Sequence, residues 1–314
     1  MLIVDRSRIE EILAGLDLLP LIEDAFRGYS AGRAIVPPVG ELLLERGEVH
    51  IKYGAIVGDD YYVIKVASGF YENPSLGLAS SNGLMLVFRQ ATGEPEAVLL
   101  DEGHLTDVRT AAAGAVAARL LAPPKVERIG VLGTGVQARL QLAQLAPLFE
   151  TRQVVAWSRN RERLDEYRSA LAEDGWEVVA AESPAGVAAV AQLIVTTTPS
   201  TEPLLHAADI RPGTHITTIG SDTIEKQELG ADVLALADVV VADSLEQCRT
   251  RGEIARAAAE GAIDFARVVE LGLVLAGEAA GRTSADQISV FDSTGVAVQD
   301  IAIATAVVEA VTAS

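Results

Sequence analysis

The sequence predicts an α/β protein in two parts: an α+β domain over residues 1–122, then a doubly wound parallel sheet over residues 123–295. Three observations lead there. Between Val39 and Leu100, apolar runs of strand length follow one another across short turns, the texture of a mixed or antiparallel sheet. After Pro123-Pro124 strands and helices alternate, which builds a parallel sheet. Where the two textures meet, residues 127–138 read ERIGVLGTGVQA: a short apolar run, a glycine turn and the start of a helical pattern. At 314 residues the chain also exceeds what one core comfortably holds.

Taken in order, Asp5 to Ala31 is helical by spacing. Ile9, Ile12, Leu13 and Leu16, then Leu21, Ile22, Ala25 and Phe26, recur at three and four, with Pro20 starting a second helix. Pro37-Pro38 breaks the pattern. The runs GELLLE, EVHIKYGAIV, YYVIKVASGF, GLMLVF and EAVLLD are strands, punctuated by turn residues such as Gly58-Asp59-Asp60 and Ala91-Thr92-Gly93. Leu105 to Leu121 is an alanine-rich helix that Pro123-Pro124 closes, marking the domain boundary. Beyond it, IGVL, QVVAWSR, EVVAA, QLIVTTT, THITTIG, VVVAD and ISVFD read as short strands. Helices are expected at Arg161 to Asp174, around Ala185 to Val190 and Lys226 to Ala231, near Glu246 to Glu260, and at Phe265 to Leu271. A terminal helix, from about Val296 to Val311, is placed to pack back on the first domain.

Composition narrows the function. Hydrophobic residues make up 49% and charged residues 22%, ordinary for a packed chain, while aromatics at 4% leave the core to Ala, Val, Leu and Ile. The net charge of −19 argues against nucleic-acid binding, because phosphates would be repelled. It does not exclude an anionic substrate, since a basic pocket can sit in an acidic surface. A single cysteine, Cys248, rules out an internal disulfide framework and suits a reducing compartment. The apolar start MLIV is too short for a signal peptide, and no stretch of about 18 apolar residues is present to span a membrane. A cytoplasmic protein is expected.

The glycine turn carries the first functional expectation. Gly133 allows a tight turn, Gly135 lets backbone approach a pyrophosphate at a helix N-terminus, and Ala138 is small where helix meets strand. Glycine pairs also make ordinary turns; the strand before and helix after are what favour a nucleotide. Val136, Leu140, Leu142, Leu145 and Leu148 would form the helix's apolar face. Elsewhere, Lys52 in VHIKYGAI, Lys65 in YVIKVASG and Arg109 in LTDVRTAAAG are basic residues in apolar surroundings. A strand lysine usually snorkels to solvent, so spacing alone leaves both readings open. Asp222 ends THITTIGSD at the carboxyl edge of a parallel strand, where ligands bind, though it could equally cap a following helix.

The order VIKVASGF, NPSLGLASSNG, DEGHLTDVRTAAAGAVAARLLAPP, IGVLGTGVQA, TTTPS, IGSD and STGVAVQD resembles the ornithine cyclodeaminase/mu-crystallin family, collinearly over nearly the whole chain. The resemblance implies NAD(P)-dependent homodimers with a Rossmann domain beside a discontinuous substrate and dimerisation domain, here 1–122 completed by about 296–314. It implies that Lys65 is the active-site lysine, Arg109 a carboxylate-binding arginine, and Asp222 the acid handling a proton near the reacting nitrogen. Ser80 and Ser81 fall where relatives have hydroxyls near the nicotinamide, and Ser293-Thr294-Gly295 matches a loop over the cofactor. The implied cofactor set is Gly133, Thr134, Gly135, Val136, Gln137, Ser158, Arg159, Thr197, Thr198 and Gly220, with Ser80, Ser81, Arg109, Thr110, Ser293 and Thr294; no metal ligand is assigned. Two departures stand out. Many members carry an arginine shortly after the first Pro-Pro, where this chain has Val39-Gly40, and a lysine before the last Ser-x-Gly, where Asp292 stands. His50 and Lys52 are the candidates for the missing donors.

Family members divide between a lyase and reductases. With Lys52, Lys65 and Arg109 as a cationic rim, the leading expectation is a reductase of a small imino acid with two carboxylates, most like the branch reducing iminosuccinate to aspartate. Lys65 and Arg109 from the first domain and Asp222 from the second would act on one substrate. An ornithine cyclodeaminase-type lyase and a nucleotide-binding protein with little catalysis are the alternatives. An NAD site usually ends its second strand with an acid on the ribose, whereas this chain reads Trp157-Ser158-Arg159-Asn160-Arg161. Ser158 and Arg159 suit a 2′-phosphate, while the iminosuccinate-reducing branch uses NADH; NAD and NADP both stay open.

Overall fold

The computed structural model describes residues 1–313 and divides into two compact units. The first is Met1–Thr110 together with the stretch from Val296 onward; the second is Ala111–Gly295.

The first unit opens with β1 (Leu2–Asp5), α1 (Arg6–Leu13) and α2 (Leu18–Ser30). Asp5 caps α1, its carboxylate accepting the Arg8 N–H at 3.0 Å. Strands β2 (Ala34–Ile35), β3 (Gly40–Leu44), β4 (Gly47–Ile56), β5 (Tyr61–Gly69), β6 (Ser81–Arg89) and β7 (Pro95–Leu100) follow, then α3 (His104–Leu121). The sheet runs β1-β7-β6-β5-β4-β2, with β3 also on β4. Neighbours are antiparallel except β1, which lies parallel to β7 with Leu2 opposite Ala97. The opening MLIV therefore contributes an edge strand, which its length had not suggested.

Both faces of this sheet are apolar. On one face Val63, Met85, Val87, Ala97 and Leu99 are buried, and the last helix, α10, packs on β4, β5, β6 and α2. On the other, Ile51, Ile64, Val66, Leu84, Leu86 and Phe88 are half-buried and Tyr53 and Leu100 exposed. Tyr62 and Phe88 stack there with ring centroids 4.9 Å apart.

The second unit takes the remainder of α3 and continues with β8 (Ile129–Leu132), α4 (Val136–Leu145), β9 (Gln153–Trp157), α5 (Arg161–Glu173), β10 (Glu177–Ala180), α6 (Pro184–Ala188), β11 (Leu193–Thr196) and β12 (His215–Thr218). It ends with α7 (Ala231–Leu236), β13 (Val239–Ala242), α8 (Gly252–Ala259), β14 (Val268–Glu270), α9 (Leu271–Ala276) and β15 (Ser289–Asp292); α10 (Ala297–Ala313) then returns to the first unit. Eight parallel strands lie in the order β10-β9-β8-β11-β12-β15-β13-β14. This is a Rossmann-type doubly wound sheet. Their fully buried apolar runs, IGVL, LIVT and VVVA, reflect helices covering both faces. No helix among the described residues is long and apolar enough to cross a membrane.

The unit boundary falls within α3 rather than at Pro123-Pro124, because Ala115 and Ala118 join the core of Ile129, Val131, Ala138 and Leu142. Three expected helices differ. Residues Lys226 to Leu229 are not helical; Leu205 and Leu229 form a parallel bridge and the Leu204 N–H donates to the Glu228 carbonyl at 2.7 Å. Phe265 to Leu271 is a single 3₁₀ turn followed by β14, which pairs with β13. The helix near Glu246 to Glu260 is split at Gly252, whose φ of +85° breaks it and whose missing Cβ makes room for Asp292.

Candidate active site

In the first unit, β4 and β5 pair with Lys52 opposite Lys65. Period-two alternation puts both lysines on the covered face of the sheet, so neither snorkels: Lys52 is 6% exposed and Lys65 2%. Arg109, on α3, is 3% exposed. Three buried cations require a counter-charge, since an unpaired buried ion costs several kcal/mol. Asp300, on the first turns of α10, supplies it and is wholly buried. Lys65 Nζ lies 3.2 and 3.1 Å from its two carboxylate oxygens, and Arg109 Nε donates to Oδ1 at 2.8 Å. Arg109 Nη1 also donates to the side-chain oxygen of Gln299.

These positions set protonation. Burial, then the adjacent Arg109 charge, pull the Lys65 ammonium down to about 7, against the attraction of Asp300 and with Lys52 adding repulsion. Burial would raise the Asp300 carboxyl, but Arg109, Lys65 and Lys52 outweigh it and hold it below the usual range. Neither Gln299 nor Asp300 was among the residues singled out from sequence. The available signal was an acid within the otherwise apolar run VQDIAIATAVV.

The remaining predicted residues of this unit are more scattered. His50 shares the covered face but faces carboxylates, with Nδ1 3.7 Å from Glu41 and Nε2 3.8 Å from Glu48. It is therefore a poorer candidate for a carboxylate donor than Lys52. Ser81 begins β6, where it pairs with Gly69, and Ser80 stands just before the strand. The Thr110 hydroxyl donates to the Thr106 carbonyl at 2.7 Å.

In the second unit the glycine turn joins β8 to α4. Gly133 needs to be glycine: its φ is +108°, and a Cβ there would meet the Thr197 hydroxyl at 2.5 Å. Gly135 does not, by the protein's own demands. Its φ of −81° suits any residue, and no protein atom lies within 4 Å of where its Cβ would be. The open space lies at the uncapped N-terminus of α4, where backbone N–H groups carry positive partial charge. A dinucleotide phosphate fits that cradle. Thr134 is half-buried, with its hydroxyl 3.4 Å from that of Ser158. Val136 is 57% exposed rather than part of the apolar face, which Ala138, Leu142 and Leu145 form. Gln137 is half-buried on the same first turn, and Arg159 is exposed beyond the end of β9, where no acid stands.

The carboxyl ends of β11, β12 and β15 form one edge. Thr197 donates to the Leu132 carbonyl through both its N–H and its hydroxyl, at 2.8 and 3.0 Å. Thr198 and Gly220 are held by buried Glu228, whose carboxylate accepts from Thr196 Oγ1 (2.7 Å), the Thr198 N–H and hydroxyl (2.6 and 2.7 Å) and the Gly220 N–H (2.9 Å). Asp222 caps no helix, since the next one, α7, begins only at Ala231; it pairs with Lys226 at 2.8 Å and its side chain stays 42% exposed. At β15, Asp292 accepts from Thr218 Oγ1 and the Ile254 N–H, and Asp243 accepts from Thr294 Oγ1 and the Gly295 N–H. The buried Ser293 hydroxyl has no hydrogen-bond partner among the described residues, so a ligand at this edge would find a donor waiting. Burial pushes Glu228 and Asp292 up to about 7 and, with Asp292's charge adding, Glu253 to about 8. None of these carboxylates was singled out as a site residue from sequence.

A family model described as the ornithine cyclodeaminase/mu-crystallin family matches residues 1–314. A putative dehydrogenase of Rhizobium meliloti is 43% identical over 90% of this chain and 87% of its own length. Alanine dehydrogenase of Archaeoglobus fulgidus is 36% identical (98% and 94% covered), and iminosuccinate reductase of Paracoccus denitrificans 33% (98% and 96%). Among solved structures, an archaeal alanine dehydrogenase dimer with bound NAD superposes with a TM-score of 0.91 at 33% identity, covering 100% of this chain and 96% of that one. Thermococcus litoralis Δ1-pyrroline-2-carboxylate reductase, in complex with NADH and L-proline, gives 0.93 at 27% identity, with 100% and 98% covered.

Proposed function

This chain belongs to the ornithine cyclodeaminase/mu-crystallin family and is an NAD(P)-dependent oxidoreductase, and from that premise we propose that it reduces a small imino acid to the L-amino acid, with iminosuccinate, giving aspartate, as the substrate. The observation that carries the proposal is the buried cluster in which Lys65 and Arg109 meet on the Asp300 carboxylate, with Lys52 opposite Lys65 on the same covered face. Three basic side chains buried close together suit a substrate with two carboxylates. The same cluster disfavours the lyase, whose substrate brings a second ammonium.

Arg109 and Lys52 would each hold a substrate carboxylate through charge-assisted hydrogen bonds, fixing both ends of a short dicarboxylate. Lys65, which titrates near neutrality, would orient the carboxylate beside the imine. Asp222, directly or through water, would mediate the proton at nitrogen, with Lys226 keeping its carboxylate in place. Gly133, Thr134, Gly135, Val136 and Gln137 would hold the pyrophosphate end of the dinucleotide. Ser158 and Arg159 would hold its ribose, and Thr197, Thr198, Gly220, Ser293 and Thr294 its nicotinamide half. Ser80, Ser81 and Thr110 remain candidates for that half as well. When bound, the nicotinamide supplies the hydride. The half-exposed apolar face of the first sheet supports a homodimer, with the first unit as substrate and dimerisation domain, and a cytoplasmic location belongs to the same proposal.

The test is NAD(P)H oxidation with imines formed from keto acids and ammonia. Oxaloacetate plus ammonia should give aspartate with one cofactor oxidised per turnover and outrun pyruvate plus ammonia. Preference for pyruvate would remove the second carboxylate. Proline formed from ornithine without net cofactor oxidation would make the chain a lyase. Asp222→Asn should lower turnover roughly 10²–10⁴-fold with cofactor affinity kept; near-normal turnover would move the proton to Lys65 or water.

A further inference from the structure

We propose that Asp300, presented by α10 together with Gln299, is the positioning residue of the cation cluster: it fixes the Arg109 guanidinium and the Lys65 ammonium so that a ligand carboxylate meets a preset pair of cations. The proposal rests on the imino-acid reading only for its turnover arm.

The geometry is specific. One fully buried carboxylate touches a strand lysine from β5 and a helix arginine from α3, joining three elements. Arg109 is held at Nε by Asp300 and at Nη1 by Gln299, so two of its donor groups are committed to α10 and Nη2 is the edge left for a ligand. A guanidinium held at two points loses less freedom when it binds, which is how preorganised groups gain affinity and orientation. Asp300 and Gln299 also sit in the first turns of α10, where the helix N-terminus favours negative charge, so the anchor is itself anchored. Without Asp300, Lys65 and Arg109 would lose the carboxylate that holds them together and keep their mutual repulsion. Lys65 would then lose its proton more readily, because Asp300 is the attraction opposing burial, Arg109 and Lys52.

The test is Asp300→Asn, nearly isosteric and without the charge. The Lys65 side-chain carbon signal, assigned by its loss in Lys65→Met, is followed against pH in ¹³C-lysine-labelled protein. Its midpoint should fall by about one unit or more in Asp300→Asn; an unchanged midpoint in the folded variant overturns the proposal, whatever the substrate proves to be. In turnover, the basic limb of the kcat/KM profile should move to lower pH, while NADH affinity stays within about twofold. Should Asp300→Asn not fold, Asp300→Glu keeps the charge and changes only reach. It should retain the Lys65 midpoint but raise substrate KM about tenfold, and a wild-type KM there would equally overturn the positioning role.

Discussion

The two units bury charge in opposite ways. In the first, Lys65 and Arg109 are neutralised by another ion, Asp300, at 2.8–3.2 Å. In the second, Glu228, Glu253 and Asp292 are buried against neutral donors: backbone N–H groups and threonine hydroxyls. An ion pair can be lost with a single charge; a carboxyl ringed by N–H groups and hydroxyls holds its neighbours through several hydrogen bonds at once. The first arrangement gathers positive charge under cover. The second shapes the backbone at the carboxyl ends of β11 and β12. Damage to the first should therefore appear in substrate terms, and damage to the second in cofactor and stability terms.

Gly135→Val should give the largest separation. Neither φ nor packing requires glycine at 135, so the variant should fold normally. Cofactor affinity should still fall by roughly 100-fold or more as the new side chain fills the cradle. Fluorescence titration with NADH and NADPH reads this, and full affinity in the folded variant would take the phosphate away from α4.

A smaller effect concerns pH. Glu228, Glu253 and Asp292 have native values of about 7, 8 and 7, above their ordinary ones of 4.5, 4.5 and 3.8. The folded chain then keeps protons that the unfolded chain releases, so their contribution to stability is greatest below about pH 4 and declines as pH rises to about 8. Lys65, lowered from 10.5 to about 7, works the other way: stability recovers as pH rises from 7 toward 10.5. The thermal midpoint should drop by on the order of 5 °C between pH 5 and 8, and Asp292→Asn, an imitation of the protonated acid, should flatten that slope by roughly a third. A slope identical to wild type would place the titration elsewhere.

The smallest expected change is in cofactor choice. Arg159→Ala removes an exposed guanidinium beside Ser158, and NADPH affinity should fall about tenfold more than NADH affinity if Arg159 meets a 2′-phosphate. Equal losses would point the side chain away from the ribose.

Much of this was legible in the chain because it depends on local chemistry. Strand runs such as IGVL and LIVT, and the turn that only Gly133 can make, need no distant partner to be recognised. Lys65 and Arg109 were conspicuous as charges in apolar settings. What could not be read was the other half of each pair. Asp300 lies 235 residues from Lys65 and 191 from Arg109, and the apolar run around it signals burial without saying which cations it meets. Glu228 was hidden for a related reason: its segment had the composition of a helix, yet its backbone is drawn into pairing with Leu204 and Leu205. Periodicity reports which face a residue takes within its own element, and says nothing about what arrives to meet it.

The return of α10 to the first unit has a consequence in time. A ribosome makes Lys65 and Arg109 early and Asp300 near the end. The second unit has all eight of its strands once Asp292 has emerged, while the first unit still lacks the helix that covers its sheet and the carboxylate that settles its buried cations. The later-made unit thus has its full set of residues first, and the unit that leads the sequence cannot complete its cation cluster until residue 300 is made.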